Sequence, residues 1–393
     1  MRILLLCDRF PDSYRDGLLL RVLHLVRHLR AQHAIELLCF HSGVPEGETV
    51  ALFDRVRTVA PPDVRPGAGW LAPLLDWNPR QLYPHSSALA HVLEHELMPA
   101  DYDVIWDAGA SLFPHLSPRW RSVPLVADLV DDMVLTFGRE ARLAESWLQR
   151  ARIWKYRILH WGFERYCMRR AAMCVVVSEE DAAMFRRVSP QVPVVVVANG
   201  VDVDYFAPLP VMMQPNRLVF EGSMAFPPNQ DAAQFLTGEI LPLIWRLRPD
   251  VCLTLVGRDP PPALQALQNE RIQVTGAVPD VRPFVAEAAL FVCPLRSGAG
   301  IKNKLLQAWA MGKAVVATPL SVGGLAAREG DNIVLREGAP ALAEAVLELL
   351  DAPERCQALG VAARNTVLEQ YTWSRQAVAF ARILEQAARA GRE

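Results

Sequence analysis

Pairing cysteines are missing: none of the seven, at positions 7, 39, 167, 174, 252, 293 and 356, stands in a C-x-x-C pair, and five lie inside apolar runs. That excludes a disulfide framework or a thiolate metal centre and describes small apolar residues in the cores of a reduced protein. The nine histidines show no ligand spacing, so neither a metal ion nor a bound cofactor is expected. A basic excess is missing too. With 41 Lys and Arg against 43 Asp and Glu there is no global field for nucleic acid, and no nucleic-acid partner is expected. No apolar run reaches the roughly 18 residues of a membrane span. The opening run, Ile3 to Cys7, ends at Asp8 and is also short for a secretory signal, which points to a cytoplasmic protein. The G-x-x-x-x-G-K-[ST] loop is absent, and the first strand-to-helix turn lacks the G-x-G-x-x-G of a nicotinamide dehydrogenase.

What is present is length and alternation. A chain of 393 residues, 51% hydrophobic, is long enough for two cores of roughly 150–200 residues each. Short β-branched or leucine-rich runs predict strands at 2–7, 35–40, 103–106, 124–127, 173–177 and 193–198. A second series follows at 217–221, 251–256, 271–274, 289–293 and 314–317. Helical patterns stand between them at 17–31, 228–248, 280–287, 302–311 and 340–350. Alternation of this kind predicts an α/β protein of two Rossmann-like, doubly wound parallel-sheet domains. The proline-rich stretch 199–216 marks the junction. The expected division is a first domain over 1–200, a crossover over 201–216 and a second domain over 217–371. An alanine-rich helix over 372–390, with Thr372 as N-cap, is expected to pack back onto the first domain.

Segment 139–170 stands apart in charge. Nine basic residues oppose three acidic ones, and Trp147, Ala151, Trp154, Ile158 and Trp161 recur at three- and four-residue steps. One reading is a core-facing helical stripe with a solvated basic back. The other is an interfacial patch touching an anionic membrane or a lipid-linked acceptor.

The chemistry concentrates in 293–319. A strand ends at Cys293-Pro294, a glycine turn follows (Ser297-Gly298-Ala299-Gly300), and a helix begins. Unpaired amides and the positive end of the helix dipole suit a phosphate there, and glycines let the backbone approach it. Lys302 and Lys304 place full positive charge in the first turn, against the dipole, which makes sense with an anion nearby.

This block resembles the donor-site signature of retaining GT-B glycosyltransferases of family 4, and more narrowly the exosortase-associated sugar transferases of exopolysaccharide clusters. The matching residues are Gly300-Ile301-Lys302-Asn303-Lys304, then Leu306-Gln307-Ala308-Trp309-Ala310-Met311. Asp8-Arg9-Phe10-Pro11 with Gly17 resembles the family's N-terminal strand and glycine loop, and Ala127-Asp128-Leu129-Val130-Asp131-Asp132 the loop facing the reacting sugar. Asn199-Gly200-Val201-Asp202 is similar to the crossover, Gly222-Ser223-Met224 with Asn229 to the first donor-domain loop, and Gly276 with Val278-Pro279-Asp280 to the loop under the base.

The resemblance implies two domains facing across a cleft that holds a nucleotide-sugar (UDP-, GDP- or dTDP-linked) as co-substrate. Lys304 would hold the donor diphosphate, helped by Lys302, Gly298, Gly300, Ile301, Asn303 and Gly17. Gln307 would meet the ribose and Val278, Pro279 and Asp280 the base. Asp128 and Asp131 would face the acceptor, where an aspartate accepts a proton from its hydroxyl. The acceptor would be a glycan, a lipid-linked species or a small molecule. Charge grows on the leaving diphosphate, which lysines and amides stabilise without a metal. Two other readings share the fold: a nucleotide-sugar epimerase and a non-catalytic nucleotide-sugar-binding protein.

Departures from the family pattern are specific. Gln307 replaces the usual Glu, Arg296-Ser297 replace the acid before the glycines, and aspartates stand where many relatives carry a histidine. Asp202-Val203-Asp204 mimics a metal-binding D-x-D, but it lies in the crossover rather than at the end of a buried strand.

Overall fold

The computed structural model describes residues 1–12, 17–62, 82–144, 146–298 and 300–391. Glu145 of the basic segment and Ala299 of the glycine turn lie outside the described residues. The chain divides into two compact units, Met1–Asn199 with Trp373–Glu393, and Gly200–Thr372.

The first unit is built on a parallel seven-stranded sheet in the order β3-β2-β1-β4-β5-β6-β7. Its strands are β1 (Arg2–Cys7), β2 (Ala34–Phe40), β3 (Arg55–Val59), β4 (Val104–Ala108), β5 (Leu125–Val130), β6 (Met173–Val176) and β7 (Val194–Val196). Successive side chains of a strand point to opposite faces, and here both faces are buried. Ile3, Leu5 and Cys7 of β1 join one core with helix Gly17–Leu29 and the C-terminal helix Trp373–Ala390. Leu4 and Leu6 join the other, with Trp120, Phe113 and Phe163. The C-terminal helix is anchored by Phe380 on Trp106, ring centroids 4.8 Å apart, and by Trp373 stacked on His24 at 4.9 Å.

The second unit carries a parallel six-stranded sheet in the order β10-β9-β8-β11-β12-β13. Its strands are β8 (Gln214–Glu221), β9 (Cys252–Val256), β10 (Ile272–Val274), β11 (Ala288–Cys293), β12 (Val315–Ala317) and β13 (Val334–Leu335). In both units the order reverses beside the first strand, so β1/β4 and β8/β11 are the switch points where open α/β sheets bind ligands.

Several elements depart from expectation. The crossover expected to run to 216 ends earlier, because β8 starts at Gln214 with Pro215 near its beginning, where a missing N–H is tolerated. The single helix expected over 228–248 is three pieces: Pro227–Phe235, a π-helical turn Leu236–Ile240, and Leu241–Trp245. Pro242 has no N–H for the carbonyl four residues back, and the wide turn before it absorbs the mismatch, with Leu241 N–H donating to Leu236 O. Strand β3 and helix Pro353–Gln370 were not anticipated.

Candidate functional site

Of the residues expected around the donor, Gly222, Ser223, Asn229 and Lys304 come together at the β8/β11 switch point of the second unit. β8 ends at Glu221, and Gly222 follows with φ 154°, a conformation that favours glycine. A Cβ on Gly222 would lie 2.4 Å from Lys304 Nζ and 2.7 Å from Asn229 Nδ2. Lys304, in the first turn of helix Asn303–Ala310, donates to Asn229 Oδ1 at 2.6 Å, and its Nζ sits 4.6 Å from the centre of the Phe220 ring. Asn229 Nδ2 donates in turn to Ser223 O at 2.8 Å, so the ammonium is held over the glycine by a short chain of bonds. Met224 of this loop is buried. Burial lowers the pKa of Lys304, and nearby Cys293 and Glu221 act the other way. Glu221 is itself raised by burial, with Lys304 opposing. Burial thus disfavours the charged form of both groups, and an anion beside them would favour the charged lysine while disfavouring the carboxylate.

The loop after β11 is pinned from below. Thr318 Oγ1 donates to Leu295 O at 2.5 Å, Ser321 Oγ donates to Cys293 O at 2.7 Å, and Leu295 N–H donates to Ser321 Oγ at 3.3 Å. Gly298 (φ 108°) and Gly300 (φ 65°) adopt left-handed backbone before the helix, with Ile301 buried. Lys302 is the N-cap residue, with no side-chain cap bond, and its Nζ donates to Gly300 O at 3.0 Å. Asn303 opens the helix, and Gln307 lies one turn beyond Lys304, partly exposed.

The loop expected to lie under the base is fixed by charge. Asp280 receives Arg282 Nη2 at 2.7 Å and Nε at 2.9 Å, while Arg282 lies over the Tyr205 ring at 3.6 Å. The hydrogen bonds from Arg282 hold the Asp280 carboxyl below its usual range. Its side chain is thus committed within the loop, and Val278 and Pro279 stand beside it, half-buried and exposed. Arg296, at the position of the family's acid, is bound by Asp231, with Nε 2.9 Å from Oδ2, and lies 4.4 Å over Phe235. Asp202 is occupied too: its Oδ1 accepts from the amides of Asp204 and Tyr205 at 3.2 and 2.9 Å, a turn-capping arrangement.

In the first unit Asp128, expected to face the acceptor, lies away from solvent. Asp128 is fully buried on β5, and its Oδ2 accepts from Arg21 Nε at 2.9 Å, with Arg21 equally buried. Arg21 Nη1 continues to Val197 O, Ala198 O and Asn199 Oδ1. A carboxylate with no exposed atom cannot meet an acceptor hydroxyl. Its place is to tie β5 to the end of the unit. Asp131 is different. Val130 has φ 63°, rare for a β-branched residue, and Asp131 N–H donates to Leu129 O at 2.9 Å, a three-residue turn that leaves Asp131 half-exposed. Asp132 is buried as N-cap of helix Met133–Leu143, accepting from Leu135 N–H at 2.8 Å. Burial pushes it up to about 7, with Asp181 beside it adding to the rise. Gly17 opens helix Gly17–Leu29, and residues 13–16 before it lie outside the described residues.

Sequence reasoning missed Glu221, Phe220, Arg21 and the Thr318/Ser321 pair. An acidic residue closing an apolar strand just before a glycine was the available signal for Glu221. For segment 139–170 the core-facing reading is overturned: Trp147 is 75% exposed, Trp154 44% and Trp161 43%, while helix Trp147–Tyr166 buries Lys155, Leu159, Gly162, Phe163 and Glu164.

Solved structures of low identity share this architecture. Sucrose-phosphate synthase from Thermosynechococcus elongatus superposes with a TM-score of 0.71 at 17% identity, covering 99% of each chain. HepE from Anabaena, in complex with UDP and glucose, gives 0.69 at 17% identity over 98% of this chain and 99% of that one. WaaG, a glycosyltransferase involved in lipopolysaccharide biosynthesis, gives 0.65 at 16% over 98% and 99%. Two doubly wound parallel-sheet units of this kind define the GT-B fold. A comparison of the sequence with curated proteins finds no match. The family models do match: the one described as Glycosyltransferase Family 4 covers residues 16–205, and the one described as Glycosyl transferases group 1 covers residues 215–352. Together they span most of the chain, which belongs to the GT-B glycosyltransferases.

Proposed function

We propose that this glycosyltransferase moves a sugar from a nucleoside-diphosphate donor to an acceptor hydroxyl, with retention and without a metal, in the making of a glycan or glycoconjugate. The observation that carries the reading is the Lys304 ammonium, cradled between Gly222 and Asn229 at the switch point of the second unit. Breaking the glycosyl–phosphate bond puts charge on the leaving diphosphate, and a preorganised cation at the positive end of a helix dipole lowers that barrier. Lys304 supplies the cation, and Lys302 with the loop from Gly298 to Asn303 supplies the rest. UDP is the first donor nucleotide to test, because the structure of HepE similar to this chain holds UDP. Gln307 meets the ribose, and the backbone of Val278 to Asp280 meets the base. Asp131 is the half-exposed carboxylate left on the acceptor side, with Asp128 as a positioning residue behind it.

Lys304→Ala tests the assignment. It is expected to lower kcat/KM by about 30- to 1,000-fold. Kinetics within threefold of the parent place the diphosphate elsewhere. The same assay in EDTA is expected to run unchanged, and a requirement for added magnesium or manganese overturns the metal-free mechanism. Release of UDP with no glycosylated product points instead to an epimerase.

A further inference from the structure

We propose that the paired helices Met133–Leu143 and Trp147–Tyr166 form a docking face for anionic lipid, with an arginine-lined cavity that takes a lipid phosphate. The cavity, about 660 Å³, lies within the first unit and is lined by Arg139, Arg142, Arg150 and Arg157, with Leu135 and Trp154 as its apolar side. Arg139 is paired with Glu180 at 2.9 Å. Arg142, Arg150 and Arg157 have no carboxylate within ion-pair distance among the described residues. Arg157 is fixed rather than loose: its Nε donates to Val134 O at 3.1 Å and its guanidinium lies 4.6 Å over the Trp154 ring. Guanidinium groups gathered around a partly apolar hollow suit a phosphate that carries an acyl body.

The surface beside the cavity supports a lipid rather than a small ester. Trp147, Trp154 and Trp161 are seven residues apart, two helical turns, so they form one row along the outer face of the helix. All three are exposed, and Leu148 (61%) and Ile158 (46%) add to them. Large apolar side chains in solvent, flanked by arginines, match a helix lying at headgroup depth, where tryptophan is favoured and basic residues meet anionic lipid. No helix among the described residues is long and apolar enough to cross a membrane, so this contact lies on the surface.

Co-sedimentation with phosphatidylcholine vesicles, with and without phosphatidylglycerol, tests the proposal on the full chain. The parent is expected to sediment with the anionic vesicles at low salt, and much less with neutral ones. Arg142→Gln with Arg150→Gln is expected to weaken the anionic binding by about fivefold per arginine. Trp147→Ser with Trp161→Ser is expected to weaken it as well. A parent that stays in the supernatant on anionic vesicles, or arginine variants that bind as the parent does, overturns the proposal. If glycerol phosphate binds as tightly as the vesicles and the tryptophan changes have no effect, the cavity serves a free phosphate ester and the membrane face is rejected. UDP affinity, measured on the same preparations, is expected to stay unchanged, so failure here leaves the sugar-transfer reading standing.

Discussion

Lys304 Nζ occupies the space beside Gly222 so closely that a Cβ on the glycine would fall 2.4 Å from it. The two residues are 82 positions apart in sequence, yet the ammonium and the bare backbone at the end of β8 form one feature of the site. Gly222→Ala is therefore expected to expel the lysine from its seat and to strain a backbone at φ 154°. The loss in kcat/KM is expected on the order of 100-fold, close to that of Lys304→Ala. The double variant should be little worse than either single one, since both remove the same contact. Additive losses would show that glycine and lysine act separately.

The buried Arg21–Asp128 pair yields a prediction of a different kind. Removing one partner of a buried ion pair leaves an uncompensated charge, so Asp128→Ala is expected to destabilise the chain by about 3–5 kcal/mol. Urea denaturation measures this directly. Arg21→Met combined with Asp128→Leu should recover much of the loss, because an apolar pair leaves no charge behind. UDP affinity of the Asp128→Ala protein below its melting transition should match the parent. Unchanged stability with a collapsed kcat would return Asp128 to the acceptor side.

Buried acids set the pH dependence of stability. Burial pushes Asp107 up to about 8, against two amide bonds to its Oδ2 from Leu112 and Phe113. Burial likewise raises Asp132 to about 7 and lifts Glu164, with Asp132 and Asp181 adding repulsion. In the unfolded chain these groups ionise near 4. Between about pH 4 and 8 the folded state thus holds more protons than the unfolded one, and their contribution is lost as pH rises through 7–8. The urea midpoint is therefore expected to fall between pH 5 and pH 8. Asp107→Asn keeps the acceptor for both amides and cannot ionise. It is expected to flatten the profile and raise the midpoint at pH 8. Parallel profiles would mean that Asp107 is already charged.

Much of this architecture was legible in the sequence because its strands are buried on both faces and read as short apolar runs, as at Ile3 to Cys7 or Leu290 to Cys293. Strand β3, Arg55-Val56-Arg57-Thr58-Val59, escaped notice since it sits at the sheet edge and carries two arginines, one of which pairs with Glu36 at 2.6 Å. The glycine-lysine block stood out as a candidate anion site by local spacing alone. Its counterpart in Gly222 and Asn229 was reached through resemblance, and the closeness of Glu221 needed the fold. Asp128 shows the limit of local reading. A polar residue at the end of a strand signals exposure unless its partner is known, and Arg21 lies 107 residues away inside an apolar helix. The tryptophan row was ambiguous for a related reason, since period 3.6 identifies a helical face but not whether it turns inward.

Gln307 offers the sharpest test of the donor assignment. It stands three residues after Lys304 on the same helix face, partly exposed, where its side chain can reach a ribose whose diphosphate rests on the lysine. A carboxylate accepts from two hydroxyls more strongly than an amide oxygen, by about 1 kcal/mol. Gln307→Glu is therefore expected to tighten UDP binding by a few-fold, and Gln307→Ala to weaken it. Titration calorimetry on the three proteins decides the matter. Equal affinities would move the ribose away from this helix. A weaker Glu variant would show that the pocket has been rebuilt around the amide, which donates as well as accepts.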